Sequence, residues 1–188
     1  MQGWPRPITA NTSRTFDRET SMKRVAYMVE VTAVLATAFF TSSVGAQESQ
    51  LPKSGTAHVH SGWAGIGEAK EVGKNHLVWL GTYYGTSFND AGKGLMHKVA
   101  WICHGASDIL DKTIVLEGFC TTTDADGDQV YGSNRGKGQL GDVFVGAVTF
   151  TGGNGKYAGI QGANAYRCNA MGQHGQLFCT NEVSYKLP

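Results

Sequence analysis

Two stretches of this chain are apolar on both faces when drawn extended: Asn75-His76-Leu77-Val78-Trp79-Leu80-Gly81-Thr82-Tyr83-Tyr84 and Lys98-Val99-Ala100-Trp101-Ile102-Cys103. Side chains alternate along a strand, so strands of this kind need cover on both sides. Around them, period-two patterning predicts short strands at about 56–64, 76–86, 95–104, 113–122, 128–133, 140–151, 163–170 and 176–186, with Gly, Asn and Asp concentrated between them. No segment has the periodicity of a long helix, so the chain reads as all-β. Eight short antiparallel strands suit a small closed barrel: its inner face is filled or lined, its outer face is covered by loops, a terminal segment or a second subunit, and it has no free sheet edge. A two-sheet sandwich is the competing architecture, and composition does not separate the two.

The run Phe150-Thr151-Gly152-Gly153-Asn154-Gly155-Lys156-Tyr157-Ala158-Gly159-Ile160-Gln161-Gly162 is the most distinctive local signal. Its glycines admit positive φ or close backbone approach, and Tyr157 and Ile160 supply apolar anchors, which makes a packed turn. Gly155-Lys156 does not make a phosphate loop: Tyr157 stands where Ser or Thr must meet magnesium, and no helix follows to receive a phosphate. The run resembles the glycine-rich turn of the dirigent and allene oxide cyclase type of β-barrel. The resemblance is strongest over 150–162 and continues as strand pattern alone over about 56–187. Family members commonly carry Thr where this chain has Asn154, which leaves the glycine spacing intact. The resemblance implies a single eight-stranded antiparallel barrel, calycin or allene oxide cyclase-like, and favours the barrel over the sandwich. The family includes allene oxide cyclases, dirigent proteins and many secreted bacterial proteins without assigned activity.

Met22-Lys23-Arg24, the apolar stretch Val31 to Phe40 and the small residues Thr41 to Ala46 follow the order of a secretory signal peptide, with cleavage expected after Ala46. Residues 1–21 are polar and read as a disordered upstream extension, 22–46 as the signal peptide, 47–55 as a flexible tail and 56–188 as the barrel domain. The apolar stretch is well short of the roughly 20 residues that span a bilayer, so no membrane anchor is expected after cleavage. Of 16 basic and 15 acidic side chains, 5 and 3 precede residue 47, which leaves 11 against 12. Such a balance offers no basic field for nucleic acid. All four cysteines lie beyond the leader, and an even count in an exported chain suits disulfides and a periplasmic or secreted location.

Cys168 and Cys179 flank a segment with Gly172 and Gly175 at its tip, and a hairpin turning midway sets them opposite each other. Cys103 and Cys120 then pair by elimination, although a hairpin centred on the expected strand ends does not place them directly opposite; buried free thiols are the alternative. His58-Val59-His60 puts two imidazoles on one strand face, the start of a metal site if a third histidine converges, or else a solvated face. The bland reading is preferred, and neither a metal nor a cofactor is expected. Asp124-Ala125-Asp126-Gly127-Asp128 fails the EF-hand register, because the sixth position is Gln129 and the twelfth Arg135; it reads as a tight turn, as does Asn89 to Gly94.

Trp79, Tyr83, Trp101 and Phe119 are the candidate lining of a ligand cavity, the alternative being that they simply fill the core. Glu68, Glu71 and Glu117 are the candidate acids in or near strands, and Glu117, which alternates with Val115 and Phe119, serves if that face turns inward. Two classes of function follow. The first is a non-catalytic binder of a hydrophobic or aromatic small molecule, or a structural or surface-interaction protein if the barrel is filled. The second, which the resemblance implies, is an allene oxide cyclase-like isomerase or cyclase that works by orientation in an apolar mould. No residue of this chain matches the family's functional acid or a dirigent site. Apolar outer faces also predict a homo-oligomer.

Overall fold

Residues at every second position of this chain turn to a shared interior, and the hydrogen-bonded ladder closes on itself around them. The computed structural model describes residues 51–170 and 175–188. Its eight strands are β1 (Ser54–Gly73), β2 (His76–Asn89), β3 (Val99–Leu110), β4 (Thr113–Thr123), β5 (Gln129–Gln139), β6 (Phe144–Gly153), β7 (Gln161–Ala170) and β8 (Gln176–Lys186). They are antiparallel, neighbours in sequence are neighbours in space, and β8 returns to β1 to close the barrel. Closure satisfies both edges of the sheet, so no ladder is left open. The expected signal peptide and the extension before it lie outside the described residues. Among the described residues, no helix is long and apolar enough to cross a membrane.

One end of the barrel is packed solid. Val59, Val99, Trp101, Val130, Val148, Phe150, Val183 and Tyr185 are buried there with the Cys103–Cys120 bridge. The β2–β3 connection folds in over them and buries Leu95 and Met96. It is held by Asn89 Nδ2 donating to the Leu95 carbonyl (2.8 Å) and Ser87 Oγ to the Met96 carbonyl (3.1 Å). Leu95 was expected to open β3; it is instead part of this plug, and the strand starts at Val99.

The glycine-rich segment between β6 and β7 caps the same end. Its short 3-10 turn, Gly155–Tyr157, and the following Ile160 bury Tyr157 and Ile160. Gly155 (φ 51°) and Gly159 (φ 74°) occupy the left-handed region, where a side chain is strained. The segment is clamped to the β4–β5 turn. Tyr157 Oη donates to Asp124 Oδ2 (2.9 Å), Lys156 Nζ pairs with Asp124 (2.8 Å) and with Asp126, and the Lys156 amide donates to Asp128 Oδ2 (3.1 Å). Asp124 Oδ1 accepts from the Asp126 and Asp128 amides, and Gly127 (φ 87°) completes the turn. The acidic triplet is thus the expected turn, with a lysine ammonium as its counter-charge.

Both disulfides are formed, Cys103–Cys120 between β3 and β4 and Cys168–Cys179 between β7 and β8. Cys103 and Cys120 do face each other directly, contrary to expectation: β3 runs on to Leu110, and the turn at Asp111-Lys112 centres the pair. Cross-links of this kind persist in an oxidising compartment. Other strands also outrun their sequence signal. β1 continues to Gly73 and β5 to Gln139, and β6 starts at Phe144 rather than near 140. The barrel also starts earlier than residue 56: Leu51 packs against the core, and the Leu187 amide donates to the Lys53 carbonyl (2.6 Å).

Burial alone would raise the pKa of Asp124, but the hydrogen bonds from Lys156, Tyr157 and the Asp126 amide outweigh it and hold the carboxyl below its usual range. A depressed carboxylate stabilises the fold above the unfolded pKa of about 4, and that contribution is lost as pH falls through the folded value. Asp124→Asn is expected to lower unfolding free energy by about 1–3 kcal/mol at neutral pH. It should also flatten the acid limb of the stability curve, as read by urea denaturation across pH; an unchanged acid limb would remove the clamp from the account.

Candidate ligand-binding cavity

The other half of the barrel is hollow. The interior faces of all eight strands enclose a cavity of about 480 Å³ near the end that carries the β1–β2, β3–β4, β5–β6 and β7–β8 turns. This lies within the usual range for small-molecule sites. The cavity exists because the strands alternate bulk with absence of bulk. Cross-strand glycine pairs face inward at Gly67–Gly81, Gly105–Gly118 and Gly136–Gly146. A Cβ on Gly81 would meet the Ile66 carbonyl and the Trp79 ring, and one on Gly146 would meet the Arg135 carbonyl and the Tyr166 hydroxyl. These positions let backbones approach closely and let aromatic rings lie flat against the wall.

Two aromatic pairs form those walls. Trp79 and Tyr83 lie on β2 with ring centroids 4.9 Å apart, and Phe144 on β6 stacks against Tyr166 on β7 at 5.9 Å. Ile109, Ile114, Leu116 and Leu177 complete the apolar lining, together with both disulfides through Cys103, Cys168 and Cys179. Apart from Asp142, the polar lining is uncharged: Tyr83, Ser107, Asn134, Asn164, Tyr166, Gln176 and Asn181. Among the described residues, Asp142 in the β5–β6 turn is the one carboxylate that touches the cavity, and no lysine, arginine or histidine is in its lining.

Trp63 divides the two halves. Its ring lies 5.7 Å from Trp101, and its indole nitrogen donates to Ser61 Oγ at 2.9 Å. Ser61 Oγ donates to Asn181 Oδ1 (2.9 Å), and Asn181 Nδ2 donates to Asn164 Oδ1 (3.1 Å). Tyr166 Oη donates to Asn134 Oδ1 (2.9 Å). Burial raises the pKa of Tyr83. Burial also raises that of Tyr166, helped by the neighbouring Tyr83 and opposed by the Asn134 hydrogen bond. Both hydroxyls therefore stay protonated well above neutral pH.

The expected site residues separate by face. Trp79 and Tyr83 line the cavity. Trp101 is buried (2 % exposed) in the packed half, where its indole donates to Ser87 Oγ at 3.0 Å. Phe119 points outward and is 72 % exposed. Glu117 shares that outer face and pairs with Arg135 across β4–β5 at 3.3 Å, so it contributes no acid to the interior. The inward face of β4 carries Ile114, Leu116, Gly118 and Cys120 instead. Glu68 also lies on an outward register position, opposite Leu80, and Glu71 sits at the rim. His58 and His60 are exposed on the outer face of β1, and His60 Nδ1 bonds Asp90 Oδ1 at 2.5 Å. Among the described residues, no three His, Cys, Asp or Glu converge to hold a metal ion.

The asparagines were not anticipated. Asn134, Asn164 and Asn181 sit at strand positions of the barrel interior, and their signal in the sequence is that polar residues recur in phase with the inward-facing apolar ones. No family model matches the sequence, and no curated protein does. Among solved structures, the chain is similar to the pterocarpan synthase dirigent protein GePTS1, at a TM-score of 0.45 and 11 % identity over 80 % of this chain and 100 % of that one. A likeness at this level says nothing about chemistry, and the cavity has to be read from its own residues.

Because Tyr83 and Tyr166 hold raised pKa values, Tyr83→Phe and Tyr166→Phe should leave the part of the ultraviolet phenol titration near pH 10 unchanged while the fold persists. Loss of a phenol titrating near pH 10 in either variant would contradict the buried, neutral cavity wall.

Proposed function

We propose that this chain is an exported β-barrel that binds a neutral, hydrophobic or aromatic small molecule in its open half and does not transform it. The observation that carries the reading is the cavity of about 480 Å³, whose walls are two aromatic pairs, aliphatic side chains and uncharged amides and hydroxyls, with one carboxylate, Asp142, at the β5–β6 turn. An anionic ligand entering such a space loses its hydration without gaining a counter-charge from the described lining, whereas an apolar one releases ordered water. Among the described residues, the lining offers no Ser–His or Cys–His arrangement, since its cysteines are disulfide-bonded and it includes no histidine. An interior acid would favour the allene oxide cyclase-like alternative; Glu117 on the outer face does not supply one, and the carboxylate at the cavity is Asp142 of the β5–β6 turn. Export to the periplasm or beyond is supported by the two disulfides and by the leader pattern of residues 22–46.

Native mass spectrometry of protein recovered from its own compartment is expected to show a retained neutral molecule. The neutral dye N-phenylnaphthylamine should bind the purified chain, and Ile109→Trp, which places a large ring at the cavity wall, should weaken it by about tenfold or more without lowering thermal stability. Equal dye affinity in Ile109→Trp would sink the reading. Recovery of a ligand chemically rearranged by the protein would favour the cyclase instead.

The outer face of β1 to β4 supports a homo-oligomer. Ile66, Leu80, Tyr84, Ile102 and Phe119 are all exposed there, in register across the four strands or one step from it. Two carboxylates border this band, Glu68 opposite Leu80 and Glu117 next to Phe119 on the same face, and Glu117 is paired with Arg135. Light scattering is expected to give a mass above the monomer, and Phe119→Asp is expected to lower it; a monomeric wild-type chain at micromolar concentration would count against the interface.

A further inference from the structure

The buried amides of the cavity run in one direction, and that direction specifies which polar group a ligand must carry. An indole N–H donates and never accepts. Trp63 Nε1 therefore fixes Ser61 Oγ as its acceptor, the Ser61 hydrogen goes to Asn181 Oδ1, and Asn181 turns its amide nitrogen to Asn164 Oδ1. Each carbonyl oxygen along the relay accepts one of these hydrogens. It ends on Asn164 Nδ2, which has no acceptor among the described residues. Asn164 is only 2 % exposed, and its remaining contact is with the cavity. Asn134 arrives at the same state by another route: Tyr166 Oη donates to its Oδ1, leaving Nδ2 over. The two amides share one level of the wall, because Asn134 is opposite Val148 and Val148 is opposite Asn164 in the β5–β6–β7 ladder.

We propose that Asn164 and Asn134 form a two-donor recognition site for an acceptor oxygen, and that the ligand is a neutral aromatic or apolar ketone, aldehyde, ester or lactone. The proposal rests on the binding-barrel reading above and narrows it. A carbonyl oxygen has two lone pairs and takes both N–H groups, whereas a hydrocarbon leaves both unpaired in a space where unpaired donors are costly. A hydroxyl ligand also accepts, but its own hydrogen then needs an acceptor, and each asparagine oxygen already holds one hydrogen bond. A carboxylate has no cation to meet among the described lining residues, which include no basic side chain. Trp63, Ser61 and Asn181 are positioning residues: they set which way Asn164 faces.

Calorimetric titration of the full chain with ethylnaphthalene and acetylnaphthalene, which have nearly the same shape, separates the carbonyl from the ring. Asn164→Leu is expected to weaken acetylnaphthalene by about tenfold and leave ethylnaphthalene unchanged. Asn164→Asp keeps the acceptor for Asn181 but replaces the free donor, so it is expected to lose acetylnaphthalene and gain naphthol. Trp63→Phe removes the group that sets the direction and is expected to narrow the preference for carbonyl over hydroxyl, a test that survives if the Asn164 variants fail to fold. If both probes bind but the carbonyl gains nothing that any of these variants removes, the donor site is overturned and the binding barrel stands. If neither probe binds the wild-type chain, both readings fall.

Discussion

Closure of β8 onto β1, from Ser54 opposite Lys186 to Ala64 opposite Gln176, is the constraint on which everything else depends. An open sheet of these strands would expose two ladders of unpaired amides and would leave the alternating side chains of one face without cover. Once the ring is closed, each strand has one inward set of positions, and the content of that set decides what the barrel is. At one end the set is Val, Trp, Phe and Tyr, roofed by Leu95, Met96 and the glycine-rich segment. At the other end it alternates large rings with glycine, and the space that results is the cavity.

The division of labour between the two ends explains why a distinctive sequence motif marks structure rather than chemistry. The Gly152 to Gly162 segment seals the packed end and is tied to the Asp124 turn by Tyr157 and Lys156. That clamp holds a lid in place; it lies away from the residues that line the cavity. The groups suited to recognition are the less conspicuous asparagines, whose amides are neutral, buried and committed to one direction by an indole. A neutral interior made in this way favours selection by shape and by a single polar contact over catalysis through charge.

The strand count and the Cys168–Cys179 pair were legible in the sequence because period-two alternation and cysteine spacing report directly on strands, whereas the barrel rested on the resemblance of the glycine-rich run and Cys103–Cys120 on elimination. Other features were hidden for physical reasons. β5 reads short because Gly132, Gly136 and Gly138 occupy inward positions and carry no side chain to mark the period. The phase of β4 is inverted to the eye: Val115 and Phe119 are apolar yet face out, 50 % and 72 % exposed, and they carry Glu117 with them. Trp79 and Tyr83 were assigned to a lining from their chemistry, whereas Trp101, of the same type, belongs to the packed half, since depth along a barrel axis leaves no periodic trace. Asn134, Asn164 and Asn181 were passed over because a lone polar residue in a strand looks the same whether it faces solvent or a cavity.

The most direct measurement is a methyl nuclear magnetic resonance titration of the isotopically labelled chain with acetylnaphthalene. The account predicts saturable shifts at Ile109, Ile114, Leu116 and Leu177, with Val59, Val99 and Val183 of the packed end unmoved. Shifts confined to Ile66, Leu80 and Ile102 on the outer face, or none at the lining methyls, would contradict it.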